Sequence, residues 1–498
     1  MTNPLVIRAD ASTQIGTGHA MRCLALAQAW QSAEGETIFV TAMKAPALEA
    51  RLKDEGIRVI HLSTYPGGVE DAAQTAELAH QTNAQWIVVD GYQFGDSYQR
   101  VIKRSGLRLL FVDDYGHSAS YCADIVLNQN IYAHEGLYAD REAQTRLLLG
   151  TPYVLLRQEF LRWRGYGRQN LSGAPKVLVT LGGSDVANVT LKVVHGLQLA
   201  AVDDLQASVV VGSAYPHFEE LEMAVRNYPF VRLERNVLDM PRLMAWADVA
   251  VSAAGTTCWE LAFMGLPSLI MVLADNQRLV AEKLDAAGAA VLVGWGEQVS
   301  PVEVSEALVQ LLASQERRAR MTVLGQNIVD GQGSARVRKH MVGQNIRLRR
   351  AREGDCRLLW EWRNDPKVLA ASFSSEPVTW TRHIDWFESR MTNPNCILLV
   401  AVNSEDIPVG QVRLDVLDNE IRFSISVDRE FRGKGYGSEM IRLARPEALS
   451  ISNGRLISAY VKPDNKASLR SFGKAGFKEY RKVLFDEQEA LHLVLGEP

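Results

Sequence analysis

The feature that most restricts this chain's fold is a regular alternation of two periodicities along its first part. Short apolar runs rich in β-branched residues occur at Leu5–Arg8, Thr37–Thr41, Arg58–Leu62, Trp86–Asp90 and Arg108–Asp113. Between them lie stretches of helical spacing, Met21–Ala33, Ala45–Glu55 and Ala72–Asn83. A second series has strand-like runs at Lys176–Leu181, Ala207–Val211, Val231–Leu233, Val249–Ser252, Pro267–Met271 and Ala290–Val293. Its helix-like segments are Asn188–Gln198, Met240–Ala245, Thr257–Phe263 and Asn276–Ala287. Strands alternating with helices predict βαβ units and parallel sheets. The expected class is therefore α/β, with two doubly wound Rossmann-like lobes, residues 1–160 and 161–342. The joint, Arg157–Pro175, contains Arg, Gly and Ser and lacks a strong apolar period.

The grammar changes after about Gly343. A strand at Ile346–Arg350 and a helix at Asp355–Arg363 precede adjacent strands Cys396–Val402, Pro408–Asp415 and Glu420–Val427. The connections between those strands are short and polar, which predicts an antiparallel meander. A glycine-rich turn, Arg432–Gly437, opens a helix Ser438–Ala444 that Pro446 is expected to help end. A strand Ile457–Val461, a helix Lys466–Ala475 and a last strand or hairpin in Val483–Val494 complete an α+β domain, 346–498.

The chain's 498 residues suggest roughly three domains at ~150 residues each. Hydrophobic content of 47% and charge of 22% exclude a mainly disordered or collagen-like chain. With 54 Lys+Arg against 58 Asp+Glu, the net charge of −4 gives no electrostatic reason to expect nucleic acid as a partner. Five cysteines stand singly, without a CxxC pair, as in a reducing compartment. The N-terminus lacks a signal-peptide pattern, and no apolar run approaches the ~20 residues of a membrane span. The expectation is a cytoplasmic protein with no membrane partner; oligomeric state is not legible.

The segment Arg8-Ala-Asp-Ala-Ser-Thr-Gln-Ile-Gly-Thr-Gly-His-Ala-Met-Arg22 follows a strand and precedes a helix. Gly16 and Gly18 permit a tight turn and close backbone approach to a ligand. The helix beginning near His19 offers N–H groups to anions. The positive end of a helix dipole disfavours an imidazolium, so a histidine there suits a general base. Arg22, one turn later, can face the same cleft. Leu181-Gly-Gly183 also follows a strand, and Gly182 and Gly183 can admit a phosphate. Ser252–Thr257, with Gly255, Thr256 and Thr257, is a small-residue turn whose amides and hydroxyls suit a diphosphate. Glu260, one turn into the next helix, can accept from ribose hydroxyls or be a solvated helix face. Asn276 and Gln277 can bond a sugar or cap a helix. Asp90 and Tyr92 lie at a strand's C-terminal end, where doubly wound sheets place ligands, and Asp113 and Asp114 share that location. No His, Cys or carboxylate spacing indicates a metal.

The stretch RADASxxIGxGHxMRCLxLA, from Arg8 onward and including Asp10, resembles the nucleotide-sugar hydrolases of pseudaminic acid biosynthesis. Val88–Tyr92, Phe111–Asp114, Asp124–Gln129, Val179–Asp185, Ala253–Glu260 and Ala274–Gln277 match the same family in order. The resemblance spans about residues 5–340. It implies a GT-B-like fold and release of UDP from a 2,4-diacetamido-2,4,6-trideoxy-altropyranose. His19 would activate water, and Tyr92 and Asp90 would belong to the catalytic set. A GT-B glycosyltransferase, or a related sialic-acid-like pathway using another epimer, remains as an alternative.

Arg432-Gly-Lys-Gly-Tyr-Gly437 fits R-x-x-G-x-G, with glycines freeing N–H groups for a diphosphate and a helix start adding its dipole. With the preceding meander and Asn465–Phe477, including Ser468, it resembles the GNAT acetyltransferases over about 346–498. The resemblance implies acetyl-CoA held by Val427, Arg432, Gly433, Lys434, Gly435, Tyr436, Gly437, Asn465 and Ser468. Phe472 stands where many members carry a thiolate-protonating Tyr, leaving Tyr460 and Tyr480 as candidates. The acceptor site is expected within Trp360–Trp386, with Glu361 or His383 as base. Together the two resemblances imply that the tail acetylates a UDP-linked 4-amino sugar and the head hydrolyses the product.

Overall fold

The computed structural model describes the chain except residues 1–2, 13–15, 169–172, 184, 213–214, 343–345, 404–405, 434 and 496–498. It divides into two compact units, Met1–Met341 and Val342–Pro498. Among the described residues no helix is long and apolar enough to cross a membrane.

The first lobe of unit 1 is a seven-stranded parallel sheet of β1 (Leu5–Ala9), β2 (Thr37–Thr41), β3 (Arg58–His61), β4 (Trp86–Asp90), β5 (Arg108–Val112), β6 (Ile125–Asn128) and β7 (Arg146–Leu149). Its order is β3-β2-β1-β4-β5-β6-β7. The central strands β1, β2 and β4 are buried along their whole length, as expected of a sheet covered on both faces. Strand order reverses between β1 and β4, where Ala9 lies opposite Asp90. A crevice at the carboxyl ends of two such strands is where a doubly wound sheet takes its ligand. The helix Asp96–Arg104 and strands β6 and β7 were not anticipated. Strands β6 and β7 have four residues each and no α-helix between them, so they lack the βαβ signal.

The second lobe repeats the plan with β8 (Lys176–Thr180), β9 (Gln206–Val211), β10 (Val231–Arg235), β11 (Val249–Ala253), β12 (Ser268–Val272) and β13 (Val291–Trp295), in the order β10-β9-β8-β11-β12-β13. The reversal here falls between β8 and β11. The two lobes together make up unit 1. Val154 and Leu156, just before the joint, and Phe160 within it pack into the second lobe's core beside Trp259 and Phe263. The lobe closes with helices Pro301–Ala313, Gln315–Ile328 and Gly333–Val342, the first started by a Ser300–Glu303 capping box.

Unit 2 is one mixed sheet of β14 (Arg347–Arg350), β15 (Cys396–Val402), β16 (Pro408–Val416), β17 (Glu420–Val427), β18 (Leu456–Val461), β19 (Phe477–Phe485) and β20 (Gln488–Leu495), ordered β14-β15-β16-β17-β18-β20-β19. Every pairing is antiparallel except β17 with β18. That parallel pairing ends at Arg422↔Ser458, although β17 continues to Val427. The two central strands therefore splay apart. Helices Tyr436–Ser450 and Lys466–Lys474 contribute to the core on one face, and Cys356–Arg363 and Trp380–Thr392 to that on the other.

Pro446 does not end its helix, which runs through it to Ser450. An internal proline costs ~3 kcal/mol in a helix. Here Ala444 and Ala448 flank it, fully buried against the sheet, so packing offsets the lost hydrogen bond. The last segment is the β19–β20 hairpin. Its turn residues Asp486 and Glu487 both have positive φ (46° and 62°), the sense that matches strand twist.

Candidate functional site

The reversal point of the first lobe gathers charges from three segments. Thr17 leads into the helix Gly18–Gln31, placing His19 and Arg22 in its first turns beside the end of β4. Nδ1 of His19 lies 2.7 Å from Oδ1 of Asp90. Arg22 donates from Nε to Oδ2 of Asp90 at 2.6 Å and from Nη1 to Oδ1 of Asp114 at 2.7 Å. Nη2 of Arg22 also lies 3.1 Å from Nδ1 of His19, so two tautomers compete. An ionised carboxylate only accepts, and the 2.7 Å contact needs a proton between the atoms. Nδ1 therefore carries the hydrogen, and Nε2 is left as the acceptor. Nε2 makes no hydrogen bond among the described residues, and the side chain keeps 14% exposure. This is the orienting role a carboxylate plays toward a histidine base.

The network extends across the cleft. Tyr92 donates to Oδ2 of Asp114 at 2.7 Å and accepts from Nδ2 of Asn276 in the second lobe at 2.7 Å. The Tyr92 ring stands edge-on to His19 with centroids 4.8 Å apart. Asp113, by contrast, shapes the turn, its Oδ1 accepting from the amides of Tyr115 and Gly116.

Burial alone would raise the Asp90 carboxyl, but Arg22 and His19 outweigh it and hold it far below the usual carboxylate range. Asp114 is lowered by the same balance, chiefly through Arg22. For both, the folded pKa lies below the unfolded value of about 3.9. Their stabilisation is thus fully present above that value and is lost as pH falls through the folded pKa values. Unit 1 is expected to show a Tm that falls as pH drops below about 4; a Tm flat over that range would contradict this assignment. Burial, then Asp114, pushes the Tyr92 phenol up, so it stays protonated and donating.

Second-lobe turns meet this centre. A Cβ on Gly18 would lie 3.6 Å from Oγ1 of Thr256, and one on Gly183 would lie 3.3 Å from Oγ1 of Thr17. The turns after β8 and β11 thus close on the turn before His19. Gly182 has φ +97° and no heavy atom within 4 Å of a would-be Cβ, leaving its backbone open. Gly16, at φ +72°, donates its backbone N–H to the Ser12 carbonyl at 2.9 Å. Gln277 accepts from the Leu273 amide at 3.0 Å, and its Nε2 approaches Gly255. Thr256 and Thr257 start the helix carrying Glu260, whose Oε1 accepts from Arg157 at 2.8 Å. No motif pointed to Arg157.

Three expected ligand contacts are corrected. Arg8 and Asp10 are fully buried and paired with each other at 2.7 Å. Arg8 also binds Asp71, while Asp10 accepts from Thr41 and the Ala42 amide. They brace the loop and present nothing to the cleft. Ser252 is fully buried too, its hydroxyl donating to the Thr180 carbonyl across β8 and β11.

In unit 2 the splay leaves Phe423–Val427 with no paired strand on the β18 side among the described residues, an open edge that can bond an extended ligand. The following turn carries Gly433 (φ +73°) and Gly435 (φ +90°), each with nothing within 4 Å of a would-be Cβ. The open backbone there suits a diphosphate. Lys434 lies outside the described residues. Tyr436 is buried in the core, and Gly437 packs close to Ser471 and Val427. Arg432 holds the turn in place: Nε donates to the Val427 carbonyl at 2.9 Å and Nη1 pairs with Asp365 at 2.9 Å. Asn465 caps the helix Lys466–Lys474 by accepting from the Ser468 amide, so this pair terminates a helix.

The candidates for acetyl transfer lie in different surroundings. Glu361 is on a solvated helix face, paired with Arg357 one turn away at 3.3 Å. His383 is buried, with Nε2 2.9 Å from the Cys356 carbonyl. Trp362 is also core, its indole donating to Asp428. Tyr460 stands at the vertex of the splay. Its hydroxyl donates to Glu420 at 3.0 Å, and burial and Glu420 push the phenol up, which opposes loss of its proton to a thiolate. Phe472 is buried in the core.

Residues 177–328 match the glycosyltransferase family 28 C-terminal domain, and residues 345–478 match the acetyltransferase (GNAT) domain. The UDP-2,4-diacetamido-2,4,6-trideoxy-β-L-altropyranose hydrolase of Campylobacter jejuni is 23% identical over 289 residues, covering 57% of this chain and 97% of that protein. The chain joins a region similar to the UDP-sugar hydrolases of the pseudaminic acid pathway to a GNAT domain. An uncharacterised protein of Methanocaldococcus jannaschii matches nearly the whole fusion, 23% identical over 96% of this chain and 97% of its own length. The spore coat polysaccharide biosynthesis protein SpsG of Bacillus subtilis is 29% identical over 46% of this chain and 67% of that protein. These likenesses support a nucleotide-sugar enzyme carrying an acetyltransferase domain.

Proposed function

We propose that the GNAT domain acetylates the 4-amino group of UDP-4-amino-4,6-dideoxy-N-acetyl-β-L-altrosamine. Unit 1 then hydrolyses the resulting UDP-2,4-diacetamido-2,4,6-trideoxy-β-L-altropyranose. The observation carrying the hydrolytic reading is His19 held by Asp90 through Nδ1, with Nε2 left to take a proton. Water attacks C1 on the face opposite UDP, the C1–O bond breaks, and Nε2 receives the water's proton, giving inversion. Two carboxylates, Asp90 and Asp114, face one guanidinium, and the surplus negative charge stabilises the imidazolium that forms. The departing diphosphate would lie against the turns at Gly182–Gly183 and Gly255–Thr257.

In acetyl transfer, acetyl-CoA supplies the thioester and would lie along the open edge of β17 with its diphosphate at Gly433 and Gly435. The amine nitrogen bonds to the thioester carbon, the C–S bond breaks, and the amine's proton passes to the departing thiolate. Joining the two activities in one chain raises the local concentration of the shared intermediate.

The purified chain, given the 4-amino UDP-sugar and acetyl-CoA, is expected to release CoA first, then UDP and free sugar. Absence of UDP release when the diacetamido UDP-sugar itself is supplied would reject the hydrolase reading. No metal takes part in this scheme, so UDP release is expected to survive EDTA; loss on chelation, restored by a divalent cation, would overturn that. The family 28 match supports a second reading, transfer of the sugar to an acceptor alcohol. An acceptor-dependent product in place of free sugar would establish it.

A further inference from the structure

Arg157 lies on the joint between the lobes and is only 8% exposed. Its Nη2 donates to Oε1 of Glu260 at 2.8 Å, and its Nη1 pairs with Glu159 at 2.9 Å. Glu159 also meets Arg51 at 3.2 Å, and Arg51 meets Glu55 at 2.7 Å. Charges therefore alternate in a row from the helix carrying Glu260 to the helix Pro46–Asp54. The Arg157 guanidinium also sits 5.2 Å from the centroid of the Phe160 ring. Held from these sides, it cannot swing toward a ligand. Glu260 is placed differently: its side chain keeps 17% exposure, and Oε2 has no hydrogen-bond partner among the described residues. It follows the Gly255–Thr257 turn that closes on Gly18.

We propose that Arg157 is a positioning residue of the nucleotide site, fixing one oxygen of Glu260 so that the other accepts from the vicinal hydroxyls of a ribose. The proposal rests on the nucleotide-site reading above and names the feature that site selects, a ribonucleoside diphosphate over its deoxy counterpart. Burial pushes the Glu260 carboxyl up, and Arg157 opposes that shift. Without Arg157 the buried carboxyl has no counter-charge and takes a proton, so it no longer presents a charged acceptor. The loss is selective, because a base, a diphosphate and a 2′-deoxyribose do not need that acceptor to the same degree.

The test is titration calorimetry of the full chain with UDP and with 2′-deoxy-UDP. The wild type is expected to bind UDP about ten-fold more tightly, the worth of one hydrogen bond to a charged group. In Arg157→Met, UDP affinity is expected to fall about ten-fold while 2′-deoxy-UDP affinity stays, abolishing the ratio. Arg157→Lys, which keeps the charge without the fork, should restore part of it and serves as the test if the methionine variant does not fold. A wild-type ratio in the variants, or equal weakening toward both ligands, overturns the proposal. Failure of the wild type to bind UDP at all rejects the nucleotide-site reading itself, and this proposal with it.

Discussion

Replacement of His19 by alanine is expected to lower the rate of UDP release by about 10³-fold, within the range general-base removal commonly costs. Asp90 contacts the imidazole through Nδ1, and in the proposed mechanism the variant loses the proton acceptor and the group whose developing charge Asp90 and Asp114 stabilise. The side chain is mostly buried but sits at the cleft's edge, and the pairs that Arg22 makes with Asp90 and Asp114 survive its loss. Little change in Tm is therefore expected, which separates a catalytic defect from unfolding. CoA release by the other unit should stay at the wild-type rate. Steady-state assays of both products on one preparation check this; wild-type UDP release in His19→Ala would remove His19 from the mechanism.

Gly435→Trp is expected to have the opposite selectivity, abolishing CoA release while UDP release from the diacetamido UDP-sugar persists. Gly435 has φ +90°, a left-handed conformation that costs a side-chain-bearing residue about 1–3 kcal/mol. No heavy atom lies within 4 Å of a would-be Cβ there, and an indole growing from that position would enter the volume assigned to the diphosphate. CoA affinity is expected to fall at least 100-fold by calorimetry. Undiminished CoA binding would show that this turn does not hold the cofactor. Together the two variants test whether the activities reside in separate units.

The parts of the site legible in the sequence share a physical property: they are local. Gly16, Gly18, Gly182, Gly433 and Gly435 stand out because a tight turn between a strand and a helix is encoded within a few residues. His19 stands out because it follows such a turn. The roles misassigned at Arg8, Asp10 and Ser252 are also instructive. Motif membership placed them near the ligand, whereas burial and pairing show them bracing the loops that hold it. Glu361 and His383 carry the right functional groups for a base, and only packing reveals that one is solvated and the other buried with Nε2 on a backbone carbonyl.

The same distinction holds for the fold. Hydrophobic period and turn chemistry by themselves determined two parallel α/β lobes and an antiparallel meander, because strand and helix periodicities are properties of short windows. They did not reveal β6 and β7, which have no α-helix between them to mark a βαβ unit, or the continuation of a helix through Pro446, which depends on packing against the sheet. Tertiary structure alone decided that Asp90 and Asp114 share Arg22, that Asn276 reaches Tyr92 across the cleft, and that Arg157 secures Glu260. Each of these contacts joins residues far apart in the chain. Their geometry follows from the strand order that brings loop ends together, and no local pattern records it.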